Sequence, residues 1–155
     1  HKEGVLRRDP MAMLPFCGYN AADYLSHWLA MGRRLKHPPA IFNVNWFRTD
    51  NDGKYLWPGF GENLRVLLWI IQRCKNEGAA EETPIGIVPT PGAIPESGLD
   101  LPDGAMDDLL KIDRAGWINE VAEQQKFFDQ FADRLPKELS NERNDLAARL
   151  SRSVA

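Results

Sequence analysis

Two stretches of this chain carry residue types suited to a binding chemistry. They are Asn45-Trp46-Phe47-Arg48 and Tyr55-Leu56-Trp57-Pro58-Gly59-Phe60-Gly61-Glu62-Asn63. Five aromatic rings fall within fifteen residues, and an amide closes the run at the edge of a predicted helix. Rings interleaved with Gly and Asn suit a flat heteroaromatic ligand such as a nucleobase. Phe47 and Phe60 can clamp a base between two faces, each stacking contact being worth about 1–3 kcal/mol. Stacking does not separate guanine from adenine. Hydrogen bonds on the base edge do, at about 1–3 kcal/mol per good bidentate pair. Asn63 offers a donor and an acceptor, and the backbone of the Phe60-Gly61-Glu62 turn offers more. Glycines at 59 and 61 let the main chain come close to a ligand.

The competing reading is a hairpin whose aromatic residues are core and whose Asn63 caps a helix. Aromatic clusters are usually core. On either reading Trp46 and Trp57 are core residues.

Other chemistries lack their parts. There is no GxxxxGKS or GxxxxGKT loop to cradle a triphosphate. There is no HExxH, no Cys/His cluster and no GxSxG elbow. The histidines are His1, His27 and His37, with no two at metal-ligand spacing, and His27 reads as structural. Glu81-Glu82 and Asp107-Asp108 read as solvated faces and helix starts. Cys17 and Cys74 form no CxxC pair, and each reads as a small buried hydrophobe in a reduced, cytoplasmic protein. No complete catalytic set is present, and no metal ligands.

The bulk numbers agree with a folded, non-basic domain. The chain has 155 residues, 43% hydrophobic and with a net charge of -3, enough for one domain with a real core. That charge argues against a general partner of nucleic acid or of an anionic membrane. No apolar run approaches the roughly 20 residues of a membrane span. The first Met is Met11, so the chain reads as part of a longer protein.

The elements that must position the aromatic run follow from periodicity. Residues 1–19 read as an extended entry segment. A helix is predicted over 21–35, capped by Asn20, with Tyr24, Leu25, Trp28, Leu29 and Leu35 on one face; His37-Pro38-Pro39 ends it. Ala40 to Phe47 reads as a strand with Phe42, Val44 and Trp46 on one face and Ile41, Asn43, Asn45 and Phe47 on the other. Asp50-Asn51-Asp52-Gly53 is a turn, and Tyr55 to Trp57 is the returning arm. Gly61 to Lys75 reads as a helix apolar on most faces, buried between layers and capped near Gly78. Pro84 to Pro89 reads as a short strand. A short helix over 104–112 follows a Pro- and Gly-rich loop. Asp113 then caps a longer helix with Trp117, Val121, Gln124, Phe128 and Phe131 in a stripe. Pro136 opens a last helix carrying Leu139, Leu146 and Leu150. The expected class is α/β in the mixed α+β sense: short strands and a hairpin packed with about five helices.

The aromatic run resembles the guanine-binding segment of the GTP-dependent phosphoenolpyruvate carboxykinases, in the form N-W-F-R followed by F/Y-L-W-P-G-F-G-E-N. The resemblance extends to Arg8-Asp9-Pro10-Met11-Ala12-Met13, to Pro15-Phe16-Cys17-Gly18-Tyr19-Asn20 and to Tyr24 through Leu29. Thr83-Pro84-Ile85-Gly86 and Arg134 through Leu139 also look like family signatures. The chain is similar to the C-terminal segment of such an enzyme, of the bacterial type.

The resemblance implies an activity for the intact enzyme. Oxaloacetate and GTP are interconverted with phosphoenolpyruvate, carbon dioxide and GDP, an early step of gluconeogenesis, with manganese or magnesium as metal. By motif, Phe47, Tyr55 and Phe60 surround the guanine, and Gly61, Glu62 and Asn63 form the turn at its edge. The animal enzymes usually carry Phe where this chain has Tyr55, whose hydroxyl needs a partner or water. Residues 1–8, with His1 and Lys2, resemble the trailing half of a mobile lid that excludes water. Residues 9–155 then form the C-terminal part of the GTP-binding domain. The phosphate-binding loop, metal ligands, catalytic Lys and Arg residues and reactive cysteine of the family lie upstream. The expectation is a fragment that binds guanine nucleotide, is inactive alone and can self-associate through uncovered apolar surface.

Overall fold

The computed structural model describes residues 10–152. Five α-helices are present among them: α1 (Ala21–Arg34), α2 (Asn63–Cys74), α3 (Ala105–Leu110), α4 (Arg114–Phe128) and α5 (Lys137–Ser151). Two strands, β1 (Ala80–Thr83) and β2 (Gly86–Pro89), complete the regular structure together with short 3-10 turns. The described residues are therefore mostly helical with one antiparallel hairpin. The mixed α+β expectation holds only in that coarse form. The chain divides into two compact units, one made of the segments up to Pro38 and from Asp113 on, the other of Pro39–Ile112.

In the first unit, α1 starts where the sequence places it. The Asn20 side-chain Oδ1 accepts the Ala22 N–H at 2.9 Å, satisfying one of the donors a helix start leaves open. Asp23 in the first turn and Arg33 and Arg34 in the last suit the helix dipole. The core gathers Ala22, Phe127 and Phe131, with Leu14, Leu25, Phe128 and Leu135 against it. Phe127 and Phe131 meet edge to face at 5.2 Å, a favoured ring geometry. Val121 and Phe131 are buried as the stripe predicts, but the most inward ring of α4 itself is Phe127, which the stripe omitted. Asp113 precedes α4 without a side-chain capping bond. Pro136 precedes α5, and Leu150 is its buried anchor.

The second unit packs around Trp57, Trp69, Ile94 and Met106, flanked by Phe42, Trp46, Val66 and Ile70. Trp69 also donates its indole N–H to the Ala79 carbonyl at 3.0 Å, which ties α2 to the start of β1.

Several expectations in this unit are corrected. Ala40 to Phe47 forms no strand: among the described residues it has no ladder partner, and a strand is defined by its ladder. Its inward alternation survives in part, since Phe42 and Trp46 pack on the core, while Val44 is exposed with Ile41 and Phe47. The expected return arm shrinks to one bridge, Thr49 to Tyr55. The strand at Pro84–Pro89 is β2 alone, with Pro84 and Ile85 as the turn. Its partner β1, read as Ala-Glu-Glu-Thr, was missed because its composition carries no apolar alternation. The helix after Gly61 opens as a 3-10 turn over Phe60–Glu62 and ends at Cys74; Asn76, not Gly78, is the first left-handed residue beyond it. Nor is α2 covered all round: Trp69 is buried, but Leu64, Leu67, Leu68 and Ile71 remain exposed on the opposite face.

Candidate functional site

The aromatic run is shaped by a tight turn. Asp50 Oδ1 accepts the N–H groups of Asp52 and Lys54 at 3.0 and 2.9 Å, the local bonding that makes Asp a turn former. Asp50 and Lys54 are joined through their backbones at 2.9 Å, as are Leu56 and Arg48. Gly53 takes a φ of 79°, which costs glycine little. The turn folds Tyr55 back beside Phe47, ring centroids 6.1 Å apart and tilted by 63°. Asn45 Oδ1 accepts the Phe47 N–H at 3.0 Å, which fixes the backbone beneath that ring.

These rings are not core. Phe47 is 72% exposed, Tyr55 60% and Phe60 92%, whereas Trp57 is 6% exposed. The reading in which all the aromatics are core therefore fails for these three and holds for Trp46 and Trp57, whose rings lie 6.2 Å apart. Gly59 does the sorting. Its φ of 118° and ψ of −168° lie where side-chain-bearing residues are strongly disfavoured. The chain can thus bury Trp57 and present Phe60 three residues later. Phe60 makes no ring contact among the described residues, so Phe47 and Tyr55 form a pair and Phe60 stands apart from it.

Past Phe60 the backbone turns into α2. Glu62 donates its N–H to the Gly59 carbonyl at 3.1 Å, and Asn63 donates its own to Phe60. The Phe60 and Gly61 N–H groups have no partner among the described residues. They are the open donors of a helix start. The Glu62 carboxylate is drawn aside by Arg65 at 2.6 Å. Arg65 also donates to the Pro95 and Ser97 carbonyls at 2.9 and 3.0 Å.

Asn63 is not a helix cap, since no side-chain capping bond is made at this terminus. Its Oδ1 instead accepts the Trp57 indole N–H at 2.8 Å. An indole nitrogen only donates, so this bond fixes which end of the amide faces Trp57. The Nδ2 donors have no partner among the described residues.

Two positioning residues were absent from the candidate set. Arg48 donates to the Leu109 and Lys111 carbonyls, both at 2.9 Å; these groups at the end of α3 are open acceptors. Arg65 is the other. Arg48 lies inside the N-W-F-R motif, which was the available signal; nothing local in the sequence marks Arg65.

Elsewhere, Cys17 is half-buried but Cys74 is exposed, which corrects its reading as a buried hydrophobe. No group of three or more His, Cys, Asp or Glu side chains among the described residues is placed to hold a metal. No helix among them is long and apolar enough to cross a membrane. His1 and Lys2 lie outside the described residues. A cavity in the first unit is lined by Cys17, Tyr24, Trp28 and Phe131, among others, and not by the exposed rings.

Known proteins place the chain. A family model for the phosphoenolpyruvate carboxykinase C-terminal P-loop domain matches residues 1–149. A phosphoenolpyruvate carboxykinase (GTP) from Neocallimastix frontalis is 47% identical over 154 residues, covering 97% of this chain and 25% of that protein. One from Treponema pallidum is 46% identical over 153 residues, again covering 97% and 25%. One from Thermoplasma volcanium is 48% identical over 141 residues, covering 91% and 23%. The chain thus spans about a quarter of the length of the curated relatives it matches. With a family model covering residues 1–149 and the N-W-F-R and G-F-G-E-N motifs in place, the chain belongs to the GTP-dependent phosphoenolpyruvate carboxykinase family, as a segment of its C-terminal domain.

Proposed function

We propose that this chain supplies the guanine-binding part of a GTP-dependent phosphoenolpyruvate carboxykinase, with GTP and GDP as its ligands. The observation that carries the reading is the sorting of rings within one short run. Trp57 is buried while Phe47, Tyr55 and Phe60 are exposed, although exposed rings of this size have nothing to gain in water.

The edge of the base is read by donors. Because Trp57 holds the Asn63 oxygen, only the Asn63 amide hydrogens face a ligand, beside the open N–H groups of Phe60 and Gly61. A set of donors suits the guanine O6 acceptor and opposes the adenine amino group, which is itself a donor. The Tyr55 ring adds stacking area on the Phe47 side.

In the intact enzyme this base site would serve the conversion of oxaloacetate and GTP to phosphoenolpyruvate, carbon dioxide and GDP in gluconeogenesis, in the cytoplasm. The rest of the enzyme would provide phosphate binding, manganese or magnesium ligands and the catalytic groups. Residues 1–8 would form the trailing part of the lid, and residues 9–155 the C-terminal part of the GTP-binding domain. The sequence carries no GxxxxGKS or GxxxxGKT loop, and no group of three or more His, Cys, Asp or Glu among the described residues could hold a metal to stabilise charge on a transferring phosphoryl group, so the chain is proposed to be inactive by itself. Measurable turnover by the pure chain above a no-protein blank would refute that inactivity.

The first test of the base site is a titration with GTP, GDP and ATP followed by tryptophan fluorescence, since Trp46 and Trp57 flank the exposed rings. Saturable change with GTP and GDP but not ATP supports a local guanine site. No response to any nucleotide, in a sample shown to be folded, would mean that this chain does not bind the base on its own.

The Asn63–Trp57 bond favours a second reading for one residue: Asn63 serves the core and the backbone alone reads the base. Asn63→Asp separates the two, because it keeps the acceptor for Trp57 and removes the donors.

A further inference from the structure

The turn into α2 carries a glutamate placed to cap it and kept from doing so. Gly59 is the N-cap residue of that turn, and Glu62 stands three positions on. From there a carboxylate ordinarily folds back onto the open N–H groups of the helix start. Those donors are vacant: among the described residues the N–H groups of Gly59, Phe60 and Gly61 have no partner. The Glu62 carboxylate instead accepts from Arg65 Nε at 2.6 Å and has no other hydrogen-bond partner among those residues. Both side chains of the pair are largely covered, Arg65 22% and Glu62 34% exposed. Arg65 is itself pinned. Its Nη1 donates to the Pro95 and Ser97 carbonyls at 2.9 and 3.0 Å, and the rigid fork then fixes where Nε points. The carboxylate has to come to the arginine, away from the helix start.

We propose that Arg65 is a positioning residue that sets base specificity, by holding the Glu62 carboxylate off the donors that would read the guanine edge. The proposal rests on the guanine reading given above. On that reading the open N–H groups of Phe60 and Gly61 suit the O6 acceptor of guanine. A carboxylate lying on them would take up those donors and set a negative acceptor where O6 has to sit. The same carboxylate would attract the amino group of adenine, which is a donor at the matching position. Helix starts draw in negative groups, so an unrestrained Glu62 would be a competitor for the site built into the chain. Pairing with Arg65 removes that competitor. Arg65 touches no base in this scheme and acts through Glu62 alone.

The test compares this chain with Arg65→Ala, Glu62→Ala and the double variant. The first readout, amide hydrogen exchange at residues 59–61, needs no nucleotide. Arg65→Ala should slow it on the order of 10-fold, because the freed carboxylate caps those groups, and the double variant should exchange as fast as wild type. A role confined to holding Pro95 and Ser97 has the opposite sign: exchange quickens and does not recover when Glu62 is removed. The second readout is the ratio of the Kd for ATP to the Kd for GTP. It should fall about 10-fold in Arg65→Ala and recover in the double variant, although that variant still lacks the contacts to Pro95 and Ser97. Unchanged or faster exchange in Arg65→Ala overturns the proposal, as does a double variant that behaves like that single one. If Arg65→Ala does not fold, Glu62→Ala decides. Exchange at residues 59–61 equal to wild type is then the expected result, and faster exchange overturns the proposal by showing that the carboxylate already caps those donors. A wild-type chain with no preference for GTP, together with slowed exchange in Arg65→Ala, would sink the guanine reading and leave the hold on Glu62 standing.

Discussion

Trp57 donates its indole N–H to Asn63 Oδ1 at 2.8 Å. One bond thereby joins the core of the second unit to the edge of the proposed base site. The oxygen of Asn63 serves the fold, and on the proposed function its nitrogen is left to face the base.

Asn63→Ala removes both. Trp57 is 6% exposed, so its unpartnered N–H should cost about 1–3 kcal/mol of stability, seen as a lower melting temperature. Asn63→Asp keeps the acceptor and should melt close to wild type. It should lose preference for GTP over ATP, since the two donors are gone. A binding titration of both variants with both nucleotides checks this. An Asp variant that retains full GTP preference would remove Asn63 from the site.

Phe60→Ala tests the most exposed ring. At 92% exposure the side chain contributes little to folding, and the stability change should stay within about 0.5 kcal/mol. GTP binding should weaken by about 1–3 kcal/mol if the ring stacks on the base. Thermal melts and fluorescence titration on the same samples measure both quantities.

Much of this site was legible in the residues, for a physical reason. Turn chemistry is local. Asp50 and Gly53 fix the turn with their own backbone neighbours, so the sequence alone places Phe47 and Tyr55 on facing arms. The N-cap at Asn20 is legible for the same reason. What was not legible depends on distant or missing partners. Ala40–Phe47 has the strand pattern, but pattern does not supply a ladder. The exposed stripe of α2 is indistinguishable in sequence from a buried one, because Leu and Ile read the same whether or not anything covers them. Strand β1 hides in Ala-Glu-Glu-Thr, held by its pairing from Ala80 with Pro89 to Thr83 with Gly86 and not by its own propensity. Arg65 meets Pro95 and Ser97 across a loop, and no spacing rule reaches that far.

Arg48→Lys should be far from conservative. The guanidinium bonds two carbonyls at the end of α3, Leu109 and Lys111, both at 2.9 Å. A lysine ammonium is a point charge without that fork. A loss of about 1–3 kcal/mol is expected, read by chemical denaturation. A midpoint equal to wild type would show that the fork adds nothing beyond charge.

The first unit offers a contrast between two surface contacts. Asn20→Ala removes the cap of α1 and should cost about 0.5–2 kcal/mol. Asp23→Ala breaks the contact with Arg134 at 2.7 Å, where both side chains are about half exposed, and should cost less than about 1 kcal/mol. Parallel denaturation curves rank them. A larger loss for Asp23 than for Asn20 would reverse that order.

The second unit is one unbroken stretch, Pro39–Ile112, set between the two halves of the first. On a ribosome the two units cannot mature together. Every residue of Pro39–Ile112 has emerged before the second half of the first unit does, so its core can close around Trp57 and Trp69 while synthesis continues. The first unit has to wait, because Ala22 meets Phe127 and Phe131 and Asp23 meets Arg134 across 111 positions. Until the last third of the chain emerges, α1 is a nascent helix with an unfilled apolar side. That makes it the segment where a chaperone, or a premature stop codon, would have its greatest effect.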